Sequence, residues 1–288
     1  MTNRIVIFAA FLLFSVSKTI GSTVNQKLYI VADSITTVDR EKLPYISYNY
    51  SKVFTAQNPV ITLSKGDSLR LWIINTDSIT HSFAIRKLMT SGMSIPSNDS
   101  VLVTLRLNQA GVYIYHDPKD FPNFVYMGLG GMLVVRNHQH ASFYWNLKEH
   151  QASFNHVISN KGNVDWSMYN PKYFTINGNS YPHILQDENA RIRGKIGDTL
   201  IINISNTGRS IHPLHFHGFH AATLYSSSKG NSIGRIKDTY AIYPMETLVL
   251  QIVPDKLGEY PIHDHNLVAV TGKGIYPNGM LTSIIITP

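Results

Sequence analysis

The sequence predicts an all-β protein made of two Greek-key β-sandwich or barrel domains, and three observations predict it. Short runs of β-branched, aromatic and aliphatic residues are punctuated by Gly, Asn and Pro. Long helical periodicity is absent. The chain also repeats itself. Gly66-Asp67-Ser68-Leu69 matches Gly197-Asp198-Thr199-Leu200, and at the same offset Asn75-Thr76 matches Asn206-Thr207 and His81 matches His212. Further on, Gly111-Val112-Tyr113-Ile114-Tyr115-His116-Asp117 matches Gly258-Glu259-Tyr260-Pro261-Ile262-His263-Asp264, and Gly131-Met132-Leu133 matches Gly279-Met280-Leu281. Order and spacing persist, so one domain type is used twice.

Taken in order, residues 1–22 read as a secretory signal peptide. Arg4 gives a positive start, Ile5 to Val16 an apolar run too short for a comfortable span, and Gly21-Ser22 small residues for cleavage. The mature chain is thus expected to be secreted or periplasmic, without stable membrane insertion. The first domain is expected over residues 23–137. In it, Val60 to Asn75 alternates around a Gly-Asp turn. A connector near Asn137 to Ser142 holds His138 and His140, read as a solvated linker. The second domain is expected over 142–288, where Ile192 to Asn206 repeats the pattern around Gly197-Asp198.

The formal charge is +7, or +5 once Arg4 and Lys18 are removed with the leader. Its basic residues are scattered, which speaks against a nucleic-acid partner. There is no cysteine, against thirteen histidines. An exported chain here uses no disulfide, and any transition-metal site must be built from His, Met and carboxylate.

Two histidine clusters carry the chemistry: His212-Pro213-Leu214-His215-Phe216-His217-Gly218 and His263-Asp264-His265. Alternate residues of a strand face the same way, so each His-x-His pair presents two imidazoles to one site. Four convergent imidazoles without a cation are hard to satisfy. His150, His156, His183 and His220 have no such partners and read as surface or packing. Asn49, Asn98 and Asn203 begin Asn-x-Ser sequences, which matter only in a eukaryotic secretory pathway.

His-Pro-x-His-x-His-Gly, then a Gly-x-Tyr strand ending in His-x-His, then Gly279-Met280, resembles the copper-binding half of multicopper oxidases. Tyr173-Phe174-Thr175-Ile176-Asn177-Gly178 is similar to the strand opening that family's C-terminal domain. The two-domain size looks like two-domain laccases and copper nitrite reductases, which are cupredoxin pairs, often trimeric, with copper held between domains or subunits. The resemblance implies cupredoxin-like domains, copper as cofactor and a homo-oligomer, a trimer first. By position, His215 matches a type 2 copper ligand, and His217, His263 and His265 match ligands of paired type 3 coppers. In a nitrite-reductase-like reading, His265 falls near the type 2 ligand lent to a neighbouring subunit. His116 matches a family histidine at the same strand end of the first domain. His81 matches either a type 2 ligand or, through the repeat, a type 1 position.

The departures are specific. A type 1 blue site needs a thiolate, and its places hold Asp117 and Asp264. The second type 1 histidine is replaced by Ala269, and the first domain lacks its second His pair, whose places hold Phe83 and Pro118. His212 is expected to pack without metal, and Met132 and Met280 to be core. An Asp beside a ligand His can orient the ring or handle a proton, the role expected of Asp264. The expected function is a copper-dependent oxidoreductase acting on a small molecule at the histidine site, without a blue centre. The alternatives are a non-catalytic copper-binding or copper-handling protein, and a degenerate cupredoxin pair with a structural or interaction role.

Overall fold

The computed structural model describes residues 21–288, so most of the expected leader, residues 1–20, lies outside the described residues. Nine strands come first: β1 (Thr23–Thr36), β2 (Lys42–Asn49), β3 (Val60–Ser64), β4 (Ser68–Asn75), β5 (His81–Ile85), β6 (Met93–Ile95), β7 (Ser100–Arg106), β8 (Gly111–His116) and β9 (Gly130–Arg136). A short helix α1 (Asn123–Met127) precedes β9. They form two sheets, ordered β2-β1-β4-β7 and β3-β9-β8-β5-β6.

Then follow β10 (Ala141–His150), helix α2 (Ala152–Ser159), β11 (Tyr173–Ile176), β12 (Ile192–Lys195), β13 (Leu200–Asn206), β14 (His212–Phe216), β15 (Ala221–Ser226), β16 (Ile236–Lys237), β17 (Thr239–Ile242), β18 (Thr247–Ile252), β19 (Gly258–Asp264) and β20 (Leu281–Thr287). Their sheets run β11-β10-β13-β18-β15-β16 and β12-β20-β19-β14-β17. The chain is therefore all-β, with two sandwiches, as the alternating patterns predict, and these are cupredoxin-like, as the resemblance implies.

The sequence repeat is a repeat of register. β1 pairs parallel with β4 and antiparallel with β2, as β10 does with β13 and β11. β3 pairs parallel with β9 as β12 does with β20. Both Gly-Asp turns are built alike. Gly66 and Gly197 have φ of 97° and 82°, the left-handed region where a Cβ is penalised. Asp67 accepts a hydrogen bond from the Ser64 backbone N–H and Asp198 from that of Lys195, each at 2.8 Å.

Inward-facing residues fill each sandwich: Leu28, Ile30, Leu71, Phe83 and Tyr115 in the first, Trp145, Ile202, Leu214, Phe216 and Leu250 in the second. Ala269 and Met280 are buried in the second core, in keeping with Met280 as a packing residue. The sandwiches meet through an apolar seam of Val112, Met132 and Val134 against Ile201 and Val249. One arrangement differs from the expected division of the chain. Phe154 and Ile158 of α2 are buried in the core of the first sandwich, with Val164, Trp166 and Tyr169 packed on it, although they follow the connector. The apolar face of this helix meets β2, because no strand of the first sandwich covers that flank. Asn49 and Asn203 are buried, so neither Asn-x-Ser site presents a free amide. Among the described residues, no helix is long and apolar enough to cross a membrane.

Candidate metal centre

Two equivalent asparagines set the histidine strands. Asn75 Nδ2 donates to the Ile79 and Ile95 carbonyls while its Oδ1 accepts from the Asp77 N–H. Asn206 does the same with Ser210, Ile242 and Gly208. Each clamps the loop that delivers the next strand, hence His81 at the start of β5 and His212 at the start of β14.

His215 on β14 lies directly opposite His263 on β19. His217 and His265 follow on the same face. The ring of His215 is 4.6, 5.8 and 5.6 Å from those of His217, His263 and His265, centroid to centroid, and His217 and His263 are 5.1 Å apart. The structure thus brings together all four imidazoles of the two His-x-His pairs. Their protonation is partly fixed. His263 Nδ1 lies 2.9 Å from the Asp264 carbonyl oxygen, which can only accept, so Nδ1 carries the proton and Nε2 the lone pair. His215 Nδ1 meets Thr239 Oγ1 at 2.9 Å, leaving its Nε2 free of protein partners. The Nε2 atoms of His217 and His263 stand 2.9 Å apart. With no cation or shared proton between them, two lone pairs would face each other. Burial and the neighbouring histidines push His217 below the usual imidazole range, toward the neutral form that a metal needs.

This donor set fits copper: all-imidazole ligation, with backbone and hydroxyl groups holding the distal nitrogens. It is not a finished one-ion cage. Among the described residues, no group of three or more His, Asp or Glu side chains stands in a preformed ligand geometry. His265 is exposed and the other three are half-buried, so the cluster opens outward from the sheet over its inner strands β14 and β19.

His81 departs from its expected role. Its Nδ1 meets Asp117 Oδ2 at 2.8 Å and its Nε2 meets Asp77 Oδ2 at 3.0 Å. Both nitrogens face carboxylates, and the side chain is fully buried, so no lone pair remains for a metal. His212 has the same fate, with Nδ1 at 2.6 Å from Asp264 Oδ2 and Nε2 at 2.9 Å from Glu149 Oε2. Burial pushes His212 down, but the two carboxylates outweigh it and hold it at about 9. Glu149 is opposed by its own burial, yet His212 and the Arg209 and Ser210 N–H groups hold it at about 2. The Asp264 carboxylate therefore positions His212, and only its backbone carbonyl meets a clustered histidine, His263. The carboxylate also accepts from the Asn266 N–H, which shapes the turn leading out of His265.

The second carboxylate comes from different places in the two repeats. The equivalent of Asp77 is Gly208, and a Cβ there would lie 1.9 Å from Glu149 Oε2. Glu149, on β10, fills the place a side chain at 208 would take. Sequence reading missed both Asp77 and Glu149. Asp77 carried a local signal, four residues before His81 in a matched loop. Glu149 carried none, because only the β10–β13 register brings it to His212.

His116 touches none of the four clustered rings. It is buried, its Nδ1 has no hydrogen-bond partner among the described residues, and burial together with Arg86 keeps it neutral. His150 is fully buried against Tyr45 and Tyr126, and burial pushes it down to about 3. It is a packing residue, as expected.

Residues 158–278 match the family model described as multicopper oxidase. The match covers most of the second half of the chain. The whole described fold is similar to three solved structures. One is a multicopper oxidase, mgLAC, at 20% identity and a TM-score of 0.77 over 93% of this chain and 87% of that one. Another is a blue copper oxidase from Nitrosomonas europaea, at 21% and 0.77 over 92% and 86%. A third is a copper nitrite reductase from Nitrosomonas europaea, at 18% and 0.72 over 92% and 94%. No curated protein sequence matches the chain. The four clustered histidines all lie within the matched residues, as do His212 and Asp264.

Proposed function

We propose that this is an exported, copper-dependent oxidoreductase of two domains, 23–137 and 142–288, whose copper is held by His215, His217, His263 and His265 with no blue centre. One observation carries the reading: two His-x-His pairs on adjacent strands bring their rings together, with His215 Nε2 free of protein partners and the Nε2 atoms of His217 and His263 facing each other at 2.9 Å. Bound there, copper supplies one-electron chemistry to a small molecule that reaches it directly. The chain's own part is to fix the rings, keep them neutral and leave the outer side open for substrate. His116 keeps an unpartnered Nδ1 and is the candidate first-domain donor.

The cluster opens outward and lacks a preformed ligand cage, which supports a homo-oligomer, a trimer first, in which another subunit completes the site. A second reading is favoured by the two buried His–carboxylate triads. They include Asp117 and Asp264, the places that the resemblance assigns to a type 1 thiolate, so a copper-binding or copper-handling protein without turnover fits the same cluster.

Copper per chain, measured by elemental analysis, should fall to background in the His215/His217/His263/His265→Ala quadruple variant and stay unchanged in His81→Gln and His212→Gln. Loaded protein should be pale, with a nitrogen-ligated type 2 spectrum. Equal copper in wild type and the quadruple variant would falsify the site. Turnover of a phenol or of nitrite separates the oxidoreductase from the copper-handling reading, and light scattering reads the oligomer.

A further inference from the structure

The first sandwich holds a cavity of about 450 Å³. It lies between β1, β2, α1 and the end of α2. Its apolar wall includes Ile46, Phe124 and Ile158, and its rim carries Asp33, Asp77 and Asp120. The repeat explains why it is open. By register, Ile30 stands opposite Asn75 as Leu147 stands opposite Asn206, so Ala32 is the counterpart of Glu149. In the second domain Glu149 fills this place and reaches His212. In the first, Ala32 leaves it empty, and Asp77 supplies the carboxylate from the loop instead. Phe124 separates the cavity from the His81 ring, 4.7 Å away centroid to centroid.

The charge of this cavity runs against that of the molecule. The chain is basic overall, at +7, yet among the lining residues three carboxylates, Asp77 already paired with His81 and Asp33 and Asp120 without a cationic partner, face a single exposed Lys161. Asp77 is locked by His81 at 3.0 Å and cannot swing away, and as an ionised carboxylate it offers acceptors only. A volume in this range suits a small organic ligand with an apolar body. A carboxylate rim over an aromatic wall selects a positive head group.

We infer that this first-domain cavity is a binding site for small organic amines, whose ammonium group sits at Asp77, Asp33 and Asp120 and whose apolar body lies against Phe124, Ile46 and Ile158. The site is separate from the histidine cluster and does not depend on copper being bound there.

Phenethylamine is the probe, titrated calorimetrically into the full-length, EDTA-treated protein, with 3-phenylpropionate as its anionic match in size. The amine should bind at least about tenfold more tightly than the acid, a difference of about 1.4 kcal/mol. Asp33→Asn/Asp120→Asn, which leaves the His81 triad intact, should weaken the amine several-fold. Ala32→Phe, which fills the cavity from its wall, should abolish binding with the thermal midpoint preserved. No binding at millimolar amine, equal binding of amine and acid, or amine binding untouched by Ala32→Phe would each overturn the inference. Loss of copper binding with amine binding intact would count against the proposed oxidoreductase alone.

Discussion

At the scale of the residue, the informative groups are the two histidines whose ring nitrogens both face carboxylates. His212 sits between Glu149 and Asp264, and neither carboxylate is exposed. Buried ion pairs contribute little net stability relative to an apolar core, but removing one partner strands a charge. Glu149→Gln should therefore cost about 3–5 kcal/mol in urea unfolding. A loss below about 1 kcal/mol would mean that His212 is neutral. The pH dependence has a definite sign. His212 rises from 6.5 to about 9 on folding, so its contribution is complete below pH 6.5 and is lost as pH climbs through about 9. Glu149 falls from 4.5 to about 2, so its contribution is complete above pH 4.5 and is lost as pH drops through about 2. Unfolding free energy of metal-free protein should thus be highest between pH 4.5 and 6.5 with respect to this pair. Glu149→Gln should flatten both flanks.

At the scale of the element, the Gly-Asp turns and the asparagine clamps repeat in atomic detail. A Cβ built at Gly66 or Gly197 meets nothing within 4 Å. Substitution there has no steric component and tests the backbone alone. Gly66→Ala and Gly197→Ala should each cost about 1–2 kcal/mol, by similar amounts. A large difference between the two in chemical unfolding would show that the turns are not equivalent. The histidine strands were legible at this scale: the period of two placed His215 with His217 and His263 with His265. The cross-strand match of His215 with His263 was not legible, because strand order and register depend on residues far apart in sequence.

At the scale of the whole molecule, α2 ties the halves together. Phe154 and Ile158 follow the connector but are buried in the first core. Phe154→Ala should cost about 3–5 kcal/mol. Calorimetry should still show one transition, because the seam of Val112, Met132, Ile201 and Val249 also joins the sandwiches. Two resolved transitions in the wild type would contradict this coupling. The expected break near residues 137–142 marks where the strands change sandwich, but not where the packing does.

The sequence by itself determined the all-β class, the duplication and the pairing of His215 with His217 and of His263 with His265. All three follow from short-range periodicity or from similarity between the halves, which a linear chain displays openly. The absence of cysteine likewise settles from composition alone that no thiolate ligand is present. Only the tertiary structure decided the fates of His81 and His212. A nitrogen is free for metal only if no partner occupies it, and the partners Asp77, Asp117, Asp264 and Glu149 come from loops and strands as far as 63 residues away. It also decided that Ala32 opens a cavity where Glu149 closes one, since a vacancy depends on what every neighbouring element fails to fill.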